Sequence, residues 1–170
     1  MKPSKLLIIR HGEKPGDPAV DASSDGIDLS TRGYERAGAL APYAPATFGK
    51  IDFLFATRAS QHSNRPVETI TPLARQIGVE IDHSFSDKDY AKLAALLTSD
   101  NQYAGKQVLV CWHHGTIAEL VTALGAVPPV PHWPSTTFDR VWILESAANG
   151  GALPPVQNLP QRLLFGDEPT

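Results

Sequence analysis

Two short apolar runs in this chain each lead directly into histidine and glycine. Residues 6–9 are followed by Arg10-His11-Gly12, and residues 107–112 are followed by His113-His114-Gly115. A short continuous apolar run that ends in polar residues is typical of a strand buried on both faces of a sheet. Ligands of open α/β proteins bind just beyond the carboxyl ends of such strands. If the two strands are neighbours in a parallel sheet, two imidazoles are expected to meet at that edge.

Predicted strands and helices alternate along the rest of the sequence. Further strands are expected at residues 51–56, at 79–82 on a sheet edge, and at 141–144. Helices are expected to start near Ser30 or Thr31, near Arg65, near Ser86 and near Thr116. This alternation predicts an α/β fold: a single-domain three-layer α/β/α sandwich with a mostly parallel sheet, spanning residues 1–170.

Two element boundaries follow from local residue types. The first helix is expected to end near Tyr43, because Pro45 lacks the backbone N–H that a continuing helix needs. Residues 162–165 are apolar enough to suggest a short edge strand near the end of the chain.

Composition limits the possible partners. The chain has 170 residues, enough for one substantial core, and its net charge of −3 gives no electrostatic reason to bind nucleic acid or an anionic membrane. Its one cysteine excludes an intramolecular disulfide, which fits a reducing compartment. No segment is long enough to span a bilayer, and the first apolar run is too short for a signal peptide. We therefore expect a cytoplasmic protein with no nucleic-acid or membrane partner.

The motif residues resemble the histidine phosphatase superfamily, also called the phosphoglycerate mutase-like family. The resemblance rests on Arg10-His11-Gly12 after the first strand, on a later histidine before glycine, here His114, and on an Arg-x-x-x-Thr segment, here Arg65 to Thr69. It covers nearly the whole chain in order and spacing. The family usually has alanine after the arginine of the third motif, where this chain has Pro66.

The resemblance implies a role for each motif residue. His11 is the expected nucleophile, since an imidazole with a pKa of about 6.5 is largely neutral near pH 7 and can hold a phosphoryl group covalently. Arg10 and Arg65 are expected to bind the phosphate, because guanidinium groups match phosphate oxygens. A surface salt bridge is the alternative for Arg65, and Arg58 is the local alternative for its role.

The second histidine has two candidates. The family places glycine directly after its histidine, which selects His114 to donate a hydrogen bond to the phosphoryl group. His113 is then expected to be a core or supporting residue, because adjacent strand residues point to opposite faces. Cys111, inside a predicted buried strand, is expected to be an inert packing residue.

The general acid and the outer substrate contacts are less constrained by the sequence. Asp87 is the nearest match to the carboxylate that the family often carries after the third strand. Asp89 is the alternative, although Ser86-x-x-Asp89 also fits a helix capping box. Glu13 and Lys14 flank the nucleophile and are candidate substrate-binding residues, with simple solvent exposure as the alternative.

The expected function is a metal-independent phosphatase without a cofactor. It would hydrolyse a phosphomonoester, on a small molecule or a phosphoprotein, through a covalent phosphohistidine on His11. Mutase activity is disfavoured, because mutases of this superfamily usually carry longer inserted segments. A catalytically weak phosphate-binding module of the same fold is one alternative. A metal-dependent hydrolase is another, since the chain has six histidines, but no His-Glu-x-x-His spacing occurs.

Overall fold

The computed structural model describes residues 3–16, 26–147 and 151–167, and a six-stranded sheet forms its centre. Its strands are β1 (Lys5–Arg10), β2 (Phe53–Ala56), β3 (Ile81–Asp82), β4 (Gln107–Trp112), β5 (Arg140–Glu145) and β6 (Gln157–Pro160). They lie in the order β3-β2-β4-β1-β5-β6. The first four strands in this order are parallel, whereas β5 runs antiparallel to β1 and β6 antiparallel to β5. The expected mostly parallel sheet, with β3 at an edge, is confirmed.

Four α-helices cover the two faces of the sheet. They are α1 (Thr31–Phe48), α2 (Arg65–Ile77), α3 (Tyr90–Ser99) and α4 (His114–Ala123), with short 3-10 segments at Asp87–Asp89 and Asn101–Tyr103. Side chains of a strand alternate between faces, so Leu7 and Ile9 pack with α1 and α2, while Leu6 and Ile8 pack with α3 and α4. Because both faces are covered, the buried strands are apolar on both sides, and the three-layer α/β/α sandwich is confirmed.

The pairing of β1 with β4 brings the two histidine-containing motifs to the same edge of the sheet. Arg10 lies opposite Trp112 in the parallel register. The backbone N–H of His11 extends this pairing by donating to the Trp112 carbonyl at 3.3 Å. The predicted meeting of the two strand ends therefore occurs, and its register fixes which residues lie level with each other.

Helix α1 is longer than expected. It passes through Pro42 and Pro45 and continues to Phe48, rather than ending near Tyr43. Each proline removes one backbone hydrogen bond. Burial of its apolar face, which includes Leu40, offsets that loss, and Gly49 caps the end by donating to the Pro45 carbonyl.

The edge strand expected at residues 162–165 is not where the sequence suggested. The strand is β6, whose exposed residues pair antiparallel with β5. Edge pairing uses backbone hydrogen bonds and does not need an apolar sequence. The backbone N–H groups of Leu163 and Leu164 instead donate to the Asp167 carboxylate, and Phe165 is fully exposed.

Two smaller results complete the fold. Helix α4 starts at His114, two residues earlier than expected. Within the described ranges, no helix is both long enough and apolar enough to cross a membrane.

Candidate active site

His11 is buried at the end of β1 in a defined tautomer. Its Nδ1 lies 2.7 Å from the carbonyl oxygen of Gly12. A carbonyl can only accept, so Nδ1 must carry the proton, and Nε2 is left with its lone pair. Burial lowers the pKa of His11 to about 2, and His113, Arg10 and Arg65 add to this shift. The ring is therefore neutral at physiological pH, with a nucleophilic nitrogen.

Thr69 holds the turn that follows His11. The Gly12 backbone N–H donates to Thr69 Oγ1 at 2.8 Å, and this hydroxyl donates to the Arg65 carbonyl at 2.7 Å. The Arg-x-x-x-Thr spacing places the two residues about one helical turn apart at the start of α2, on the same face of the helix. The threonine thus connects the start of α2 to the residue after the candidate nucleophile.

Arg10 is fixed by the loop that precedes β5. Its Nη1 donates to the carbonyls of Pro134, Ser135 and Thr137 at 3.3, 2.6 and 3.0 Å. The ring of Phe138 lies 3.7 Å from the Arg10 Cζ atom, at cation–π distance, and its centroid lies 6.1 Å from that of His11. Burial lowers the pKa of Arg10 to about 10, which leaves the guanidinium charged at neutral pH.

Arg65 approaches the same point from the start of α2. Its Nη1 donates to the Gly26 carbonyl, and its charge contributes to the lowered pKa values of Arg10, His11 and His113. Burial lowers the pKa of Arg65 itself. The Nε atoms of Arg10 and Arg65 are both buried without a hydrogen-bond partner among the described residues. Two buried cationic donors without partners are suited to an anion.

The imidazole next to His11 is that of His113, not His114. The centroids of the two rings are 5.1 Å apart, at an interplanar angle of 70°. Because Arg10 pairs with Trp112, the next residues, His11 and His113, lie level with each other. The strand register therefore places His113 beside His11, and the binding of the phosphoryl group by His114 stays a prediction.

The two adjacent histidines have different surroundings. Burial lowers the pKa of His113 to about 4, although nearby Asp87 acts in the opposite direction. Burial also lowers the pKa of His114, with smaller contributions from Arg10 and Lys14. The Nδ1 atom of His114 is buried and has no partner in the described part of the chain. Both rings therefore border the site, but only His113 contacts His11.

The structure separates the two candidate carboxylates. The Asp89 carboxylate accepts from Ser86 N at 3.0 Å and from Ser86 Oγ at 2.5 Å, and it pairs with Lys92 at 2.6 Å. The predicted capping box is thus present. Asp87 makes no such cap, and it lies close enough to His113 to raise the pKa of that ring.

Glu13, which follows the candidate nucleophile by two residues, is paired with two arginines. Its carboxylate pairs with Arg36 at 2.7 Å and with Arg32 at 3.3 Å. Arg36 also pairs with Asp167 at 2.7 Å, with both side chains 3% exposed. Glu13 therefore links the loop after β1 to α1, because a nearly buried guanidinium requires carboxylate partners, and it is not simply exposed to solvent. A substrate contact by Glu13 stays a prediction. Lys14 is exposed at the same edge.

Sequence reasoning missed several residues that shape this site. Phe138 and the loop carbonyls around Arg10, together with Asp167, are far from the motifs in sequence and carry no local signal. A cavity of about 450 Å³ is lined by Phe138 and by the paired charged groups of Glu13, Arg32, Arg36 and Asp167. His113 carried no decisive signal either, because the choice between it and His114 depends on the register of β1 and β4.

Two other possible kinds of chemistry are metal ligation and attack by a thiol. Across the ranges described, no group of three or more His, Cys, Asp or Glu side chains is arranged to hold a metal ion. Cys111 is buried in β4, and burial raises the pKa of its thiol. A buried thiol of raised pKa is a poor nucleophile.

No protein-family model and no curated protein matches the sequence. Solved structures do match the fold. The protein histidine phosphatase SixA, solved with tungstate, has a TM-score of 0.58 at 17% identity, over 92% of this chain and 97% of that chain. A mycobacterial glucosyl-3-phosphoglycerate phosphatase has a TM-score of 0.58 at 14% identity, over 92% and 97% of the two chains. A phosphoserine phosphatase from Entamoeba histolytica, solved with phosphoserine, has a TM-score of 0.57 at 16% identity, over 89% and 95%.

These likenesses define the class of fold. The protein is a three-layer α/β sandwich with a histidine-centred, cationic site at the carboxyl ends of β1 and β4. This is the histidine phosphatase fold.

Proposed function

We propose that this protein is a metal-independent phosphatase that hydrolyses phosphomonoesters through a phosphohistidine on His11. The observation that carries the proposal is the unprotonated Nε2 of His11, beside two guanidinium groups whose buried Nε donors have no partner among the described residues. Phosphoryl transfer needs mainly a positioned nucleophile and neutralisation of the equatorial oxygens. In this proposal Arg10 and Arg65 supply that neutralisation, and the neutral ring of His113 donates a hydrogen bond to the phosphoryl group.

The reaction proceeds in two steps. In the first, His11 Nε2 forms a bond to phosphorus while the bond from phosphorus to the ester oxygen breaks, and Asp87 gives a proton to the departing alkoxide. In the second, water attacks phosphorus, Asp87 takes up a proton from that water, and the bond to His11 breaks. Inorganic phosphate and the free enzyme result, so no metal or cofactor is required.

The role expected for His114 passes to His113 in this proposal, because His113 is the ring in contact with His11. His114 and Lys14 remain candidate contacts at the rim of the site. The partner is a phosphorylated small molecule or a phosphoprotein. We also propose a cytoplasmic location, since the one cysteine is a free buried thiol, as is usual in a reducing compartment.

Trapping the phosphoenzyme tests the nucleophile. Wild-type protein mixed with radiolabelled phosphoester and quenched in alkali should carry one acid-labile phosphoryl group, located on His11 by mass spectrometry. His11→Ala should lose both the label and turnover while keeping its fold, and the exposed His62→Ala should behave as wild type. Full activity of His11→Ala would refute the proposal.

The general acid is tested by comparing leaving groups. Asp87→Asn should lower kcat/KM for an alkyl phosphate by about a hundredfold or more, because an alkoxide needs a proton to depart. It should affect p-nitrophenyl phosphate much less, because nitrophenolate leaves unprotonated. Asp89→Asn removes a helix cap, so it should cost about 1 kcal/mol of stability. It should change kcat/KM for the two substrates by similar factors. A selective loss in Asp89→Asn alone would reverse the assignment.

Treatment with EDTA separates this proposal from the metal-hydrolase alternative. Activity should survive prolonged chelation, and tungstate or phosphate should raise the Tm by binding the native state. Arg10→Ala should abolish that rise in Tm. Loss of activity that is restored by adding a divalent metal would favour the alternative.

A further inference from the structure

We propose that Thr116 is a positioning residue, which together with Trp112 holds the general acid Asp87 against His113. The inference rests on the proposed function and adds to it the group that sets where the acid lies. Its basis is a cluster of three hydrogen bonds among three segments, one of which lies 25 or more residues before the other two. These segments are the end of β4, the first turn of α4 and the 3-10 segment Asp87–Asp89.

The Thr116 hydroxyl makes two of the three contacts. Trp112 Nε1 donates to Thr116 Oγ1 at 3.0 Å, and the hydroxyl donates to the Asp87 carbonyl at 3.1 Å. Trp112 Nε1 also lies 3.3 Å from the same carbonyl. The indole is completely buried, so its N–H must find a partner inside the protein. The hydroxyl therefore accepts one bond and uses its single proton to donate the other.

Thr116 also contacts the backbone of His113, the residue next to the candidate acid. Its backbone N–H donates to the His113 carbonyl at 3.1 Å. One residue thus touches the backbone of both Asp87 and His113, the two residues between which the electrostatic contact occurs. A change at Thr116 Oγ1 would alter the distance between the acid and the phosphoryl site without removing either group.

The segment that carries Asp87 is also anchored at Phe85, whose carbonyl accepts from Arg58 N at 2.7 Å and whose ring lies near Phe55. None of the residues of Asp87–Asp89 is buried, and β3, which precedes it, is only two residues long. Asp89 serves the cap of the following helix, which orients the helix start but does not reach β4. Beyond Phe85, the polar contacts to Trp112 and Thr116 tie Asp87 to the end of β4 and the start of α4. Displacements of about 1 Å can cost a reaction about a hundredfold.

Three variants test this role. Thr116→Val keeps the side-chain shape but removes the hydroxyl, Thr116→Ser keeps the hydroxyl, and Thr122→Val is the matched control. Thr122 lies on the exposed side of α4 and donates only to the Ala118 carbonyl, at 2.9 Å. The measurement is kcat/KM for β-glycerol phosphate and for p-nitrophenyl phosphate in each variant, with Tm recorded to confirm folding.

Thr116→Val is expected to lower kcat/KM for β-glycerol phosphate about 10- to 100-fold, and that for p-nitrophenyl phosphate less than about threefold. Thr116→Ser should restore the first value to within about threefold of wild type, and Thr122→Val should match wild type on both substrates. A purely structural role for Thr116 would instead lower both values together. Equal loss on both substrates, or no loss on either, would overturn the positioning role.

The two proposals fail in different ways. If Asp87→Asn shows the selective loss and Thr116→Val does not, the positioning role is wrong and the proposed reaction stands. If His11→Ala remains active, or if no acid-labile phosphoenzyme forms, the proposed reaction is itself wrong. Should Thr116→Val fail to fold, Thr116→Ala takes its place, and the same ratio of kcat/KM values for the two substrates decides between the outcomes.

Discussion

At the scale of single residues, burial sets the charge state of the candidate site. It lowers the pKa of His11 to about 2 and that of His113 to about 4, both below the ordinary value of 6.5. Below pH 6.5 the unfolded chain therefore binds protons that the folded protein does not. By linkage, these two histidines support the folded state fully above pH 6.5, and their contribution is lost as the pH falls below that value.

The free energy of unfolding should accordingly fall between pH 6.5 and pH 4.5. Each histidine is expected to steepen this fall by up to about 1.4 kcal/mol per pH unit. Denaturant titrations give the free energy of unfolding of wild type, His11→Asn and His113→Asn at each pH. Below pH 6.5, this free energy should change less steeply with pH in each variant than in wild type. Between pH 7.5 and 8.5 the three slopes should agree, which serves as the internal control. Identical slopes below pH 6.5 would contradict the assigned neutral rings.

At the scale of secondary-structure elements, α1 packs against the loop after β1 through a glycine. A Cβ atom added at Gly33 would lie 2.5 Å from the Glu13 carbonyl oxygen and 3.1 Å from the Glu13 nitrogen. Both are backbone atoms, which cannot rotate away as a flexible side chain would. The close approach is completed by Ser30, whose N–H donates to the same carbonyl at 2.9 Å. The start of α1 thereby fixes the path of the chain two residues beyond His11.

Gly33→Ala should therefore destabilise the protein despite the higher helix propensity of alanine. We expect a loss of about 2 kcal/mol or more in the free energy of unfolding, since the helix must move away from the loop. Gly38→Ala on the same helix is the matched control, because a Cβ there meets nothing within 4 Å. That variant should gain about 0.5–1 kcal/mol. Chemical denaturation measures both, and a gain in both variants would show that the contact does not constrain α1.

At the scale of the whole molecule, one arginine joins three distant parts of the chain. Arg36 on α1 bonds to Glu13 after β1 and to Asp167 after β6. Although burial opposes it, pairing with Arg36 lowers the pKa of Asp167 to about 2. Leu163 N and Leu164 N also donate to this carboxylate. The last described segment is therefore held across α1 by charge rather than by an apolar strand.

Asp167→Asn should cost about 3 kcal/mol of stability, because it leaves the buried Arg36 with one carboxylate partner fewer. Glu145→Gln is the control. It breaks the more exposed pair with Lys5, whose atoms are 3.5 Å apart, and should cost less than about 1 kcal/mol. Urea unfolding at pH 7 compares the two variants. Equal costs would mean that the Arg36 network contributes no more than a surface pair.

The sequence by itself determined the features that depend on local chemistry. Aliphatic runs of four to six residues are too apolar to be exposed and too short for helices, so β1 and β4 followed from the sequence directly. Residues at the ends of buried strands must lie at the ligand-binding edge, which placed Arg10 and His11. The Ser86 and Asp89 cap also followed, because its two hydrogen bonds join residues three positions apart.

Only the tertiary structure decided the features that depend on contacts between distant segments. Whether His113 or His114 meets His11 depends on the register of β1 and β4, which are about a hundred residues apart and whose side-chain patterns allow either choice. The partners of Glu13 and the loop around Arg10 come from the far end of the chain, so no local pattern marks them. The edge strand formed at β6 rather than at the apolar residues after it. Backbone hydrogen bonding to β5 determined that pairing, and every residue except proline carries the groups that it requires.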